Sequence, residues 1–281
     1  MTERMVQTAG VELCTEPFGD PDDPPVLLVM GIGASMLWWE DGFCQRLAAN
    51  DRYVIRYDHR DTGRSVTYEP GRPGYTGADL TRDAVAILDV YGLDDAHIVG
   101  VSAGGGIAQE LALGSPGRVR SLVLISTSPA TPVDRQLPSP TTAFGDFVAT
   151  VTVDWADRDS VVAYLVDYSR VLAGDDRPFD EDAWTELIRR DVDRADDIAA
   201  LQNHDVLDQD DTTDQPVSSI TAPTLVIHGT ADPLFPPAHG EALAEEIPGA
   251  GLLLLHGAGH GVDRADWDAI VTAILEHTHQ G

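Results

Sequence analysis

A serine flanked by small residues lies at the end of an apolar run in the first half of the sequence. The segment Gly100-Val101-Ser102-Ala103-Gly104 closes that run, and the apolar residues after it fall at helical spacing. A sharp turn from a strand into a helix strains the central serine and exposes its hydroxyl at the carboxyl end of a sheet. The helix N-terminus places partial positive charge where an oxyanion would form. We therefore predict that Ser102 is a nucleophile; the alternative is a glycine-rich turn in which it only caps the helix.

A serine hydroxyl is a weak nucleophile at neutral pH and needs an adjacent base. His260, in Gly257–Gly261, lies between the last apolar run and the closing amphipathic segment. Parallel strands end at one edge of a sheet, so this loop is expected beside Ser102. We predict that His260 is the base. Seven other histidines fit other positions: His97 and His228 in the core or its rim, His256 packed at a strand end, His59 early in the chain near the same edge, and His204, His277 and His279 on the surface.

The base in turn needs an acid that fixes its tautomer and stabilises its charged form. Asp232 follows the apolar run Pro223–Gly229 and precedes His260 by 28 residues, room for one helix and one strand. The other common place for this acid follows the run Ser121–Ser126, where Ser126–Pro129 contains no carboxylate. We predict that Asp232 is the acid. Its alternative role is turn formation before Pro233.

Negative charge that develops on a substrate oxygen needs backbone N–H donors. The residue after the nucleophile, Ala103, is expected to supply one, and Ile32, between two glycines, the other. Trp38 and Trp39 follow that loop closely and are candidates for the substrate pocket, with core packing equally compatible. Gly105 and Gly106 extend the small residues into the helix, where each glycine costs about 1 kcal/mol relative to alanine. Close packing of the helix against the sheet would explain both and is favoured over a functional role.

The elements that must position these residues alternate between strand and helix. Apolar runs occur at Val26–Met30, Tyr53–Tyr57, His97–Val101 and Ser121–Ser126, and a helical pattern covers Leu80–Tyr91. Such alternation predicts an α/β protein with a parallel sheet covered on both faces. The strand pattern resumes at Pro223–Gly229 and Leu252–His256, both read as buried strands, and a closing helix is predicted at Trp267–His277.

The segment between the two blocks of strands is polar and acidic. Its apolar residues recur at helical spacing in three groups: Phe144, Phe147 and Val148; Val161, Val162, Tyr164 and Leu165; Trp184, Leu187 and Ile188. We predict a helical cap over residues 128–218, inserted between a first core part, residues 1–127, and a second, residues 219–281.

Charge and composition narrow the function classes. The 281 residues contain 47 acidic and 18 basic side chains, all of the latter arginine, for a formal net charge of −29. Such a field repels nucleic acids and anionic substrates, so we expect no nucleic-acid partner. The acidity fits either an ordinary solvated surface or adaptation to high salt. The N-terminus does not resemble a secretory signal and no apolar run could span a membrane, so a cytoplasmic protein without a membrane partner is expected.

Metal and cofactor chemistry is not indicated. Cys14 and Cys44 form neither metal-ligand spacing nor a disulfide framework, and no string fits a nucleotide-binding loop. The polar loop Asp58–Ser65 suggests an anion or metal site, but a hydrogen-bonded loop that braces the sheet edge is favoured. We therefore expect no metal and no cofactor. The sequence leaves the oligomeric state open, a homo-oligomer included.

With these residues placed, the chain resembles α/β-hydrolase fold proteins over nearly its whole length, and more narrowly polyketide methylesterases of the aclacinomycin methylesterase type. The similar stretches are Phe18–Pro21, Leu27–Gly31, Arg56–Ser65 and Pro223–Ile227. The resemblance implies a mostly parallel eight-stranded sheet, a nucleophile elbow at Ser102, and hydrolysis of a small-molecule ester. Two positions depart from the family: Met30 replaces its usual histidine, and Ala103 its usual methionine.

We therefore expect a serine carboxylesterase, a methylesterase among the options, that acts on a hydrophobic, uncharged ester through an acyl-enzyme. Three alternatives remain open at this stage. A lactone, amide or C–C bond could be cleaved by the same triad; cofactor-free perhydrolysis would depend on peroxide; and a ligand-binding protein would bind without turnover.

Overall fold

Eight strands form one sheet in the computed structural model, which describes residues 2–8, 10–208 and 213–279. The strands are β1 (Arg4–Gln7), β2 (Glu12–Phe18), β3 (Pro25–Val29), β4 (Tyr53–Tyr57), β5 (Ala96–Val101), β6 (Val119–Ile125), β7 (Thr224–Gly229) and β8 (Gly251–Leu255). Their order is β1-β2-β4-β3-β5-β6-β7-β8. The pairs from β4 to β8 are parallel, and β2 is antiparallel to both of its neighbours. The mostly parallel sheet predicted from the sequence is confirmed.

Helices cover both faces of this sheet. The helices of the described residues are α1 (Asp41–Ala48), α2 (Gly77–Val90), α3 (Ala103–Gly114), α4 (Thr142–Thr150), α5 (Arg158–Ala173), α6 (Glu181–Arg194), α7 (Ala238–Glu246) and α8 (Trp267–Thr278). Those that pack on the sheet are α1, α2, α3, α7 and α8. On β3, Leu27 and Val29 pack in a core cluster with residues of α2, α3 and α7, whereas Val26 and Leu28 pack with residues of α1 and α8. Because successive side chains of a strand point to opposite faces, both faces of β3 are buried, which explains its uninterrupted apolar sequence.

The structure corrects one element expectation. The predicted strand at Leu252–His256 forms β8 at the edge of the sheet, where Leu252 and Leu254 are 40% and 41% exposed. It is therefore not a buried strand, since only β7 pairs with it in the described part of the chain. None of the helices in the described residues is long and apolar enough to cross a membrane.

Three helices, α4, α5 and α6, lie between β6 and β7 and contain the three apolar groups expected to be helical. Val161, Leu165 and Ile188 belong to an apolar cluster that joins α5 to α6. A 3₁₀ segment, Ile198–Val206, follows α6. Arg194 at the end of α6 contacts the sheet side, with its guanidinium 2.7 Å from Asp58 Oδ2. The division of the chain into core and cap remains a prediction.

Candidate active site

Ser102 lies at the junction of β5 and α3 in a strained conformation, with φ 55° and ψ −125°. A side chain at Gly100 would place its Cβ 2.3 Å from the Gly104 carbonyl oxygen, and one at Gly104 would lie 2.3 Å from that of Val29. The Ser102 N–H donates to Ile125 O (2.9 Å). The two glycines are therefore required for the turn, and neighbouring strands hold the strained serine in place.

Asp232 and His260 come together from the loops after β7 and β8. His260 Nδ1–H donates to Asp232 Oδ2 over 2.8 Å, and the carboxylate is buried. The other carboxylate oxygen, Oδ1, accepts the backbone N–H groups of Leu234 (2.9 Å) and Phe235 (2.8 Å). With its Nδ1 proton directed at Asp232, the His260 ring keeps a lone pair on Nε2. The pair thus has the arrangement of a base fixed in one tautomer by a buried acid.

The loop that carries His260 contacts the C-terminus of α5. The His260 N–H donates to Leu172 O (2.8 Å), and a Cβ at Gly259 would lie 2.3 Å from the same oxygen. On its other side, Gly261 N–H donates to Ser126 Oγ (3.2 Å). Arg177, just after α5, forms two hydrogen bonds to the Asp266 carboxylate (2.7 and 2.8 Å). The inserted segment therefore takes part in fixing the position of His260.

The loop after β3, residues 30–33, passes close to Ser102. A Cβ at Gly31 would lie 3.3 Å from Ser102 Cβ, and Ile32 is 42% exposed. Each end of this loop is hydrogen-bonded to a histidine. His59 Nε2–H donates to Met30 O (2.8 Å), and Gly33 N–H donates to His204 Nδ1 (2.9 Å). Two imidazoles therefore clamp the 30–33 loop.

Both histidines of this clamp are buried. Burial, together with repulsion from His204, lowers the pKa of His59 to about 4. Burial also lowers the pKa of His204, whose Nε2–H donates to Arg60 O (2.9 Å). Both rings are consequently neutral at pH 7, and the lone pair on His204 Nδ1 is free to accept the Gly33 proton. The prediction of His204 as a surface residue is wrong, because the 3₁₀ segment that carries it packs against the core.

The polar loop Asp58–Ser65 is hydrogen-bonded throughout. Asp58 accepts the N–H groups of Met36 (2.8 Å) and Arg64 (3.0 Å), and Asp61 accepts from Tyr75 Oη (2.8 Å). Burial raises the pKa of Asp58, against the effect of Arg194 beside it. Among the residues that the structure describes, no group of three or more His, Cys, Asp or Glu side chains is placed to hold a metal ion. The loop thus braces the sheet edge.

A cavity of about 670 Å³ opens at Ser102 and His260, between the sheet edge and the inserted helices. Its walls are mainly aromatic and aliphatic, with aromatic side chains from Trp38, Phe144, Trp155, Tyr164, Tyr168, Phe179 and Trp184. On one side Tyr164 and Tyr168 stack at 28°, and on another Phe179 and Trp184 stack at 9°. Such a cavity suits a bulky apolar ligand with flat rings.

The two tryptophans proposed for the pocket have different positions. Trp38 lines the cavity and donates from Nε1 to Asp191 Oδ2 (2.7 Å). Trp39 is fully buried beside Phe43, with ring centroids 5.3 Å apart, and does not line the cavity. The expectation of a pocket role for Trp39 is therefore wrong, because the 3₁₀ turn Met36–Trp38 directs the following indole into the core.

Comparisons with known proteins agree with this architecture. The family model for the α/β hydrolase fold matches residues 24–262. Rhodomycin D methylesterase DauP from Streptomyces sp. (strain C5) is 33% identical over 99% of this chain and 98% of its own length. Rhodomycin D methylesterase DnrP from Streptomyces peucetius is 32% identical over the same shares. A meta-cleavage product hydrolase from Pseudomonas fluorescens IP01 superimposes with a TM-score of 0.78 at 21% identity, covering 99% of this chain and 97% of that one, and so supports the fold alone.

Proposed function

This chain belongs to the α/β-hydrolase fold family and is an esterase-type hydrolase, and from that premise we propose that Ser102, His260 and Asp232 hydrolyse carboxylic esters through an acyl-enzyme. One observation carries the proposal. A strained serine and a histidine tied to a buried aspartate line the same apolar cavity. Strain at a residue that neighbouring backbone holds in place is typical of a functional position.

In the first half of the reaction, His260 Nε2 takes the Ser102 proton as Oγ attacks the ester carbonyl carbon. The tetrahedral intermediate collapses, the C–O bond to the alcohol breaks, and His260 returns the proton to the leaving oxygen. In the second half, His260 deprotonates water, which attacks the acyl carbon. The Ser102 ester bond then breaks, Ser102 regains its proton, and the carboxylic acid is released. Asp232 stabilises the charged imidazole in both halves.

The oxyanion of each intermediate would be bound by the N–H groups of Ile32 and Ala103. Ala103 is the first residue of α3, where the helix dipole adds favourable charge, and Ile32 lies in the clamped 30–33 loop. One such donor contributes about 10²–10³-fold to kcat in a comparable site. Because both donors belong to the backbone, methionine at position 30 and alanine at position 103 are compatible with this role.

The substrate that best fits the cavity is a hydrophobic, uncharged ester with flat aromatic rings. Parallel aromatic side chains line or flank the cavity, and the net charge of −29 disfavours anionic ligands. Two relatives are named as rhodomycin D methylesterases. We infer that a methyl ester of a polycyclic aromatic acid is the preferred class here, and that residues 128–218 act as the cap that selects it.

The test of this function is pre-steady-state turnover of p-nitrophenyl butyrate by the wild type, Ser102→Ala and Ser115→Ala. Ser115, at the other end of α3, provides the control for a serine change on the same helix. We expect a burst of p-nitrophenol in the wild type and Ser115→Ala, and a loss of at least about 10⁴-fold in kcat for Ser102→Ala. Equal turnover in the wild type and Ser102→Ala would contradict the acyl-enzyme, as would a wild type without any turnover.

A further inference from the structure

A second, smaller cavity of about 290 Å³ also opens at Ser102. It shares Ile32, Ser102 and Tyr168 with the large cavity. Its remaining lining comes from α3 and from the loops after β6 and β7: Ala103, Gly106, Thr127, Ser128, Leu234 and Phe235. Two cavities of unequal size therefore meet at the serine.

Three consecutive glycines in the first turn of α3 differ in their surroundings. A Cβ at Gly104 would lie 2.3 Å from Val29 O, and one at Gly105 would lie 2.6 Å from Thr127 Cγ2. At Gly106, a Cβ would meet no atom within 4 Å. Close packing thus explains Gly105 but not Gly106, for which that prediction is wrong. A glycine within a helix destabilises it, so the helix alone gives no reason for glycine at position 106.

Gly106 lines the smaller cavity, and the space at its Cβ position is open. We therefore expect a larger side chain at position 106 to reduce the volume of that cavity. Packing of the helix therefore does not require glycine at position 106. The size of the ligand that the smaller cavity can hold does depend on it.

The hydroxyls of Thr127 and Ser128 in this cavity already have partners for their protons. Thr127 Oγ1–H donates to Ser102 O (2.7 Å). His239 Nε2–H donates to Pro138 O (2.9 Å), so its Nδ1 accepts the Ser128 hydroxyl proton (2.8 Å). Ile32, Leu234 and Phe235 supply apolar surface. The lining thus favours a small apolar group over one that needs hydrogen-bond donors from the two hydroxyls.

Attack by Ser102 places the ester carbonyl where the two cavities meet, so the acyl and alcohol halves must extend in different directions. We propose that Gly106 keeps open a subsite for the smaller of these two halves, an apolar group of a few carbon atoms, while the large cavity takes the bulky half. This inference rests on the proposed function and makes Gly106 a determinant of ester specificity.

The experiment compares Gly106→Ala and Gly106→Leu with Gly114→Ala and Gly114→Leu. Gly114, the last residue of α3, is exposed, has equal open space at its Cβ position, and lies outside the linings of both cavities. One substrate series varies the acyl half (p-nitrophenyl acetate, butyrate and hexanoate). The other varies the alcohol half (methyl, butyl and hexyl 2-naphthoate). The readout is kcat/KM for each ester and Tm for each variant.

The quantity compared is the ratio of kcat/KM for the longest ester to kcat/KM for the shortest ester in each series. We expect Gly106→Leu to lower this ratio by about 10-fold or more in one series and by less than about 3-fold in the other. Gly106→Ala should give a smaller change, and the Gly114 variants none. The series that responds identifies the half that occupies the subsite. Both alanine variants should raise Tm by about 2 °C, because alanine favours the helix.

Unchanged selectivity in both series for Gly106→Leu would overturn the subsite. So would an equal loss for short and long esters, or a lowered Tm for Gly106→Ala, since either points to a structural role. The wild type is also treated with an alkyl fluorophosphonate, from which Ser102 Oγ would displace fluoride to form a phosphonyl adduct that intact mass detects. A wild type that neither turns over these esters nor forms this adduct would contradict the proposed function and the inference with it. An active wild type with insensitive Gly106 variants would refute the inference alone.

Discussion

At the scale of single residues, the 30–33 loop shows how two uncharged rings can position a backbone donor. His59 binds the carbonyl at one end of the loop and His204 binds the N–H at the other. Gly33 adopts φ 73°, which glycine tolerates well. The proposed oxyanion donor Ile32 lies between these two anchors. We infer that His204 is a positioning residue that acts through Gly33 rather than on the substrate.

We expect His204→Gln to lower kcat by about 10–100-fold with little change in KM. Glutamine can place its amide where Nε2–H contacts Arg60 O, but it offers no acceptor at the Nδ1 position, so Gly33 N–H loses its partner. His204→Asn, whose Oδ1 can replace Nδ1, should recover part of the loss. Steady-state kinetics on p-nitrophenyl butyrate measures both effects.

His97→Gln is the control, because His97 is also buried and hydrogen-bonded, to Ser121 Oγ (2.8 Å), but lies towards the start of β5. Equal losses in kcat for His97→Gln and His204→Gln would point to general destabilisation. Equal kcat for His204→Asn and His204→Gln would refute the acceptor role of Nδ1.

Single residues also show where prediction from the sequence ends. Ser102, Asp232 and His260 are predictable because each follows a recognisable apolar run, and the structure places all three at one edge of the sheet. His204 gave no such signal, since its partner Gly33 is 171 residues away. Trp38 and Trp39 are adjacent in the sequence, but Trp38 lines the cavity and Trp39 lies in the core. The geometry of the turn decides between these positions, and the sequence pattern does not reveal it.

At the scale of elements, the C-terminus of α5 contacts the two loops that carry the proposed base and acid. It accepts the His260 N–H at Leu172 O. A Cβ at Gly174 would lie 2.8 Å from Ala231 O, next to Asp232. The same turn therefore contacts the loops of the base and of the acid. Movement of this end of the inserted segment would displace both loops together.

We expect Gly259→Ala to lower kcat by at least about 10-fold and to lower Tm by several degrees. The added methyl would overlap with Leu172 O and the Ala173 carbonyl, forcing the His260 loop away from α5. Steady-state kinetics and thermal unfolding measure the two effects, with Gly114→Ala as the control for a glycine change in open space. Wild-type kcat in Gly259→Ala would show that this contact does not position His260.

Elements were predictable where pattern and burial coincide. Strands β3 to β7 are buried on both faces. The bounds predicted for them from the apolar runs differ from the observed bounds by at most two residues. The short strand β1, with a mostly exposed sequence Arg4–Gln7, carries little pattern. For β8, hydrophobicity could not reveal an edge position, because pairing with β7 alone depends on the whole sheet.

At the scale of the whole molecule, buried histidines determine how stability responds to pH. Burial lowers the pKa of His59 and of His97 to about 4, and lowers those of His204 and His228 as well. In the unfolded chain each would titrate near 6.5. Below that pH the unfolded state binds protons that the folded state does not, so the free energy of unfolding falls as the pH drops from about 6.5 towards 4.

The slope of the free energy of unfolding against pH should be smaller in His59→Gln than in the wild type. We expect a decrease of up to about 1.4 kcal/mol per pH unit, since one histidine with a lowered pKa is removed. Urea unfolding between pH 7 and 4.5 measures the slope separately from any constant loss of stability. The pKa values of Asp58 and Asp191 are raised in the folded state, so these carboxylates bind protons more readily there than in the unfolded chain. At low pH they therefore oppose the fall in the free energy of unfolding. An identical slope in His59→Gln and the wild type would contradict a depressed pKa for His59.

The acidic side chains among the otherwise mainly apolar cavity walls affect release of the product. Asp205, Asp263 and Asp266 line it, and Arg177, its one arginine among the described residues, is already bound to Asp266. Ester hydrolysis converts a neutral ligand into a carboxylate in this setting, within a protein of formal net charge −29. The product is therefore repelled where the substrate was not. We expect this field to favour release of the acid, to oppose re-esterification within the site and to keep product inhibition weak even as acid accumulates.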